Sequence, residues 1–99
     1  MSTIGWFMIE RNWEAVSNIL FSETLPQGFS LNPPKPYEVG DAHLRTVDIN
    51  HSGGLVATVI AGQRNPEEPA GSIVRICVVG GNPEIENLKP FLQKLGVVF

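Results

Sequence analysis

Two apolar runs without regular polar alternation restrict the fold of this 99-residue chain more than any other feature. A strand with one solvent-exposed face should alternate apolar and polar side chains. The run "LVATVIAG" at 55–62 is apolar in both alternating sets of side chains, with Thr58 as the polar exception. In "SIVRICVV" at 72–79, one set is apolar and Arg75 interrupts the other. Both runs therefore predict strands that are covered on both faces.

A third strand-like run, "AHLRTVDIN" at 42–50, precedes these two. The connections are "HSGG" and "QRNPEEPAG", and both are too short for the helical crossover that parallel strands need. The glycines of the first connection permit the positive φ angles of a tight hairpin turn. We therefore expect the three strands to form an antiparallel meander.

Two helices are predicted, one on each side of the meander in the sequence. Asn12 is a good N-cap for a helix over 13–22, in which apolar residues recur at helical spacing. The second helix covers 83–95, with Asn82 as its cap and an apolar stripe along one face. Pro90 lies inside this second helix, so we expect the helix to be kinked or split there.

The stretch 24–41 contains four prolines and two glycines, which predicts an extended strap rather than regular structure. The strap either acts as an arm or binding loop, or covers the core with its apolar side chains. A short strand at 4–9 completes the predicted order βαβββα. We expect residues 1–99 to form a single α+β domain, with an antiparallel sheet of about four strands and both helices on one face.

Several classes of function are disfavoured by composition. The net charge is -3 with an isoelectric point near 5.2, and the basic residues are scattered, which disfavours nucleic acid as a partner. The turn "VVGGNP" after the last strand-like run lacks the spacing and the basic residue of a phosphate-binding loop. A single cysteine and two histidines give no metal-ligand spacing, and no apolar run approaches a membrane span. We therefore expect a soluble, cytoplasmic protein without a cofactor.

The doubly apolar strands raise the question of what covers the second face of the sheet. Two modest helices and a strap suffice for one face only, and a bare apolar face is costly in water. A second copy of the chain is the commonest solution, so we expect a homodimer. Another protein, or a ligand held in a pocket between sheet and strap, is the alternative. The favoured function is accordingly a non-catalytic binding or protein-interaction domain.

A small enzyme of the isomerase, lyase or hydrolase type is the rival hypothesis. His43, Arg45 and His51 share one alternating set on the first meander strand, and Asp48 belongs to the other. Histidine and carboxylate side chains that converge on a pocket could perform acid–base work. The alternative is an edge strand that carries its charges outward.

Four side chains are candidates for binding a ligand or a partner. A guanidinium in a buried strand needs a carboxylate or an anionic ligand, so Arg75 is expected either to pair within the domain or to anchor an anion. An aromatic side chain either anchors the core or offers a contact surface. The candidate binding residues are Arg75, Arg45, Trp6 and Tyr37.

Overall fold

The computed structural model of the chain describes residues 3–39, 42–63, 72–80 and 83–98. Within these ranges the chain has the α+β organisation that the sequence predicts. The elements, in chain order, are β1 (Thr3–Met8), α1 (Trp13–Ser22), β2 (Phe29–Leu31), β3 (Lys35–Val39), β4 (Ala42–His51), β5 (Gly54–Gln63), β6 (Ser72–Val79) and α2 (Ile85–Leu95).

The strands form one antiparallel sheet with the order β1-β6-β5-β4-β2, and β3 also pairs with β4. The β4–β5–β6 meander is confirmed, and its strands agree with the predicted runs to within two residues. Ser52 and Gly53 join β4 to β5 with φ angles of 52° and 84°, as a two-residue hairpin turn requires. The predicted loop at 64–71 lies outside the described residues.

The described sheet has six strands, so the prediction of about four was wrong. The difference comes from the predicted strap, where β2 and β3 pair with the two halves of β4. β4 is ten residues long, and β5 satisfies the hydrogen-bonding groups along only one of its edges. Short strands from the strap supply partners along the other edge. Pro36 is tolerated in β3 because this strand lies at the margin of the sheet.

Both helices pack on the same face of the sheet, which we call the inner face. Helix α1 has the predicted boundaries, and the Asn12 side chain accepts a 2.8 Å hydrogen bond from the backbone N–H of Glu14. Helix α2 begins at Ile85 with Glu84 as its N-cap, two residues later than expected. Asn82, the predicted cap, lies outside the described residues.

Pro90 does not split α2, which is helical from Ile85 to Leu95. A proline at this position removes one backbone hydrogen bond from the helix. Five buried side chains hold α2 in place and offset that loss: Ile85, Leu88, Phe91, Leu92 and Leu95. The helix ends at Gly96, whose φ of 119° lies in the left-handed region that favours glycine.

The core lies between the inner face and the two helices. Its buried members include Val47 and Ile49 of β4, Val59 of β5, Ile76 of β6 and Val16 of α1. The register of β4 and β5 shifts between Ile49 and Asn50, which leaves Val56 as an extra residue on β5. Because of this bulge, two consecutive residues, Val56 and Ala57, are both buried in the core.

Candidate functional site

The outer face of the sheet, opposite the helices, carries exposed apolar side chains at its margins. The antiparallel register aligns its side chains in rows across the strands. One row is Trp6, Cys77, Thr58 and Asp48, and the next is Met8, Arg75, Ile60, Thr46 and Lys35. Neither helix packs on this face. Among the described residues the outer face is unevenly covered: Leu44 and Ile60 are buried on it, whereas Trp6, Met8 and Arg75 are exposed. Within a single copy of the chain, the expected cover on both sides is therefore found at Ile60 of β5 but not at Arg75 of β6.

The exposed aromatic and sulfur-containing side chains of β1 dominate one side of this face. Trp6 is 58% exposed and Met8 is 70% exposed, whereas Phe7, between them, packs against the core. Trp6 is thus a surface side chain and does not anchor the core. Tyr37 lies at the opposite margin of the same face, across from Leu44, and is also exposed. Leu44, Ile60 and Ile73 form a small apolar cluster between the two margins.

Arg75 lies on the outer face and is exposed within a single copy of the chain, so its guanidinium is not buried there. Alternation assigned Arg75 to the correct side of β6, but nothing in the described chain covers that side. Among the described side chains, ion pairs join Lys89 to Glu86 and Lys94 to Glu23, and His51 lies 3.4 Å from Glu84; none of these contacts includes Arg75. The expected pairing of Arg75 with a carboxylate of its own domain is therefore not found there.

Asp48 shares the outer face with Arg75 but lies on β4, with β5 between the two strands. The Thr58 hydroxyl donates a 2.9 Å hydrogen bond to the Asp48 carboxylate, and this contact is partly buried. The hydrogen bond leaves the second carboxylate oxygen of Asp48 able to accept from another donor. The outer face thus holds Arg75 and Lys35 as cations and Asp48 as a carboxylate, among threonine and apolar side chains.

The structure does not bring His43, His51 and Asp48 together. His43 and His51 both lie on the inner side of β4, at opposite ends of the strand, about 26 Å apart along its length. Asp48 points to the outer face. These three side chains therefore cannot act on one substrate atom within a single copy of the chain.

His51 has the contacts of a structural residue. Its Nε2 atom lies 3.4 Å from a carboxylate oxygen of Glu84, the N-cap of α2. Its ring meets the edge of Phe29 with the ring centroids 4.8 Å apart. A side-chain carbon at Gly28 would come within 2.6 Å of His51 Nε2. The backbone just before β2 therefore approaches the imidazole closely. His51 thereby connects the end of β4 to β2 and to the start of α2.

A pocket of about 400 Å³ lies on the inner face, between α1 and the end of the β4–β5 pair that carries His43. Side chains of α1, β4 and β5 form it together with Pro34 of the strap. Its lining residues are Trp13, Ser17, Leu20, Phe21, Pro34, His43, Arg45, Val47, Val59, Ala61, Gly62 and Gln63. Arg45, a candidate binding residue from the sequence, therefore lies at this pocket and on the opposite side of the sheet from Arg75, Trp6 and Tyr37.

The aromatic wall of this pocket was missed in the sequence, although the helical spacing could have revealed it. Four residues of α1 line the pocket, at spacings that place them along one side of the helix: Trp13, Ser17, Leu20 and Phe21. A core-facing stripe would need only Val16 and Leu20, both of which are buried. The two additional aromatic residues extend the apolar side of α1 beyond the core.

No three histidine, cysteine, aspartate or glutamate side chains of the described ranges are grouped so as to hold a metal ion. Neither α1 nor α2, the helices of the described chain, is long and apolar enough to cross a membrane. Comparison of the chain with protein-family models, with curated proteins and with solved structures finds no match.

Proposed function

We propose that the protein is a non-catalytic interaction domain that acts as a homodimer, with the outer sheet faces of two copies packed against each other. The observation that carries this proposal is the exposed apolar patch that Trp6 and Met8 of β1 form on the outer face. Burying apolar area stabilises a complex by about 25 cal/mol per Å² before the costs of association are subtracted. Aromatic side chains and methionine are also enriched in protein interfaces.

Charge complementarity favours a second copy of the chain as the occupant. Consider a two-fold axis that lies between the two sheets and runs along β5. This axis sets β6 of one copy over β4 of the other, because these two strands flank β5. Arg75 then faces Thr46 of the second copy, and Asp48 of that copy is one row away, about 7 Å along the strand.

The side chain of Arg75 is long enough to span that offset. The two-fold symmetry repeats the contact, so each copy supplies one guanidinium and one carboxylate. A guanidinium that meets a carboxylate in this way is held by charge-assisted hydrogen bonds. The same face thus supplies both partners of the ion pair, as a self-complementary interface requires.

The rival enzyme hypothesis receives less support. It relied on His43, His51 and Asp48 meeting at one pocket, and these residues lie at two ends and on two faces of β4. His43 lines the inner pocket on the other side of the sheet from Asp48.

Sedimentation equilibrium of the unmodified chain at micromolar concentration tests the proposal. We expect a mass of about 21.6 kDa, twice the 10.8 kDa of one chain. A mass that stays at 10.8 kDa up to millimolar concentration would reject the homodimer.

A further inference from the structure

We propose that the pocket between α1 and the β4–β5 pair binds a small organic carboxylate with an apolar body. This proposal does not depend on the homodimer, because the pocket opens on the inner side of the sheet and the proposed interface lies on the outer side. The walls, the charge and the size of the pocket all favour such a ligand.

The walls of the pocket are apolar and come from rigid elements. Leu20, Val47 and Val59 belong to the buried core and form its floor. Trp13 and Phe21 of α1 form one wall, and Pro34 of the strap contributes to another. Small-molecule sites typically combine such apolar walls with a few polar groups that orient the ligand. An apolar or aromatic ligand body would displace water from these walls.

The charge of the pocket selects an anionic head group. Arg45 is an exposed lining residue with a permanent positive charge, and none of the ion pairs among the described side chains includes it. Among the described side chains that line the pocket there is no aspartate or glutamate. A guanidinium can bind a planar carboxylate through two parallel hydrogen bonds. A phosphate dianion would call for more than one fixed cation, so a monocarboxylate fits better.

The volume of about 400 Å³ falls in the lower part of the usual range for small-molecule pockets, roughly 300–1,000 Å³. A ligand of this size has one ring or a short alkyl chain beside its head group. Ser17 also lines the pocket and offers a hydroxyl group to the part of the head that Arg45 does not contact. The probe that follows from these features is 3-phenylpropanoate.

Fluorescence of Trp13 gives a direct readout of occupancy. The chain has two tryptophans, so the variant Trp6→Phe leaves the wall residue Trp13 as the only tryptophan, which excitation at ~295 nm selects over tyrosine. We expect 3-phenylpropanoate to change its emission saturably, with a dissociation constant on the order of 0.1 mM. The alcohol 3-phenylpropanol should bind at least about tenfold more weakly, and 3-phenylpropylammonium weaker still, because each lacks the negative charge.

Two charge-removing variants locate the head group. Arg45→Met should weaken binding of the acid about tenfold, to the level of the alcohol, without changing the affinity for the alcohol more than about twofold. Lys35→Met is the matched control, because Lys35 adjoins Pro34 in the chain but does not line the pocket. The control should bind the acid as the parent does.

Calorimetry on the unmodified chain should reproduce the ranking of acid above alcohol above ammonium. The proposal is overturned if no probe binds saturably, or if the acid and the alcohol bind equally well. It is also overturned if Arg45→Met and Lys35→Met have the same effect on the acid. Circular dichroism spectra that match the parent chain verify that each variant is folded.

Discussion

Arg75 and Asp48 lie on the same open face of the sheet, on strands that both pair with β5. Within one copy they are separated by the width of β5, and their side chains do not form an ion pair. A two-fold rotation about an axis along β5 brings each of them towards the other residue of the second copy. The proposed dimer can therefore be tested by exchanging the charges of Arg75 and Asp48.

Reversing one charge of this pair should weaken the dimer, and reversing both should restore it. We expect Arg75→Asp and Asp48→Arg each to raise the dimer dissociation constant at least about tenfold, because each sets like charges opposite one another. The double variant should recover most of the loss, since it exchanges the two partners. Sedimentation velocity across a concentration series measures the dimer dissociation constants of the parent chain, the two single variants and the double variant. If the double variant loses as much free energy of association as the two single variants lose together, the proposed pairing is contradicted.

Trp6 should contribute to association and not to the stability of the monomer. We expect Trp6→Ser to weaken the dimer by about 2 kcal/mol, because aromatic side chains dominate interface energies. Its effect on urea unfolding of the dissociated chain should stay within about 0.5 kcal/mol, as for other exposed positions.

Phe21→Ser is the matched control for that experiment. Phe21 is 54% exposed, close to the 58% of Trp6, but it lies on α1 on the opposite side of the sheet. Association should be unchanged in this variant. Equal losses of affinity in Trp6→Ser and Phe21→Ser would show that general surface hydrophobicity, and not the outer face, drives association.

The backbone approach at Gly62 gives a prediction about the sheet itself. A side-chain carbon at Gly62 would overlap the His43 carbonyl oxygen and come within 2.7 Å of the Leu44 Cα atom. We expect Gly62→Ala to lower the free energy of unfolding by about 1–3 kcal/mol, the usual range for overpacking. Gly5→Ala serves as the control, because no atom lies within 4 Å of the added carbon there. Chemical denaturation measures the free energy of unfolding of both variants. Equal denaturation midpoints for Gly62→Ala and Gly5→Ala would contradict the described β4–β5 register.

Local signals in the sequence were sufficient for much of this fold. The Asn12 cap, the two-residue turn at Ser52 and Gly53, and the three meander strands all depend on residues that are close in the chain. The strands β2 and β3 were not predicted, because they are three and five residues long and one contains a proline. Their existence depends on the free edge of β4, which is a non-local property.

The candidate sites show the same division between local and non-local information. Alternation assigned Arg75 to one side of β6 correctly, but its exposure depends on whether another element covers that side. Similarly, His43 and His51 share the inner side of β4, as their alternating set implies, yet the length of the strand keeps them apart. The pocket could be recognised only once α1 was packed on the sheet, because Arg45 and Trp13 come from separate elements.

Contacts between two copies can be observed directly by isotope-filtered nuclear Overhauser spectroscopy on a mixture of labelled and unlabelled chains. We predict intermolecular signals from the side chains of Trp6 and Met8, which are exposed on the outer face. The inner-face residues Trp13 and Phe21 should give none. Intermolecular signals from α1, or a dimeric mass without any signal from the outer face, would contradict the proposed assembly.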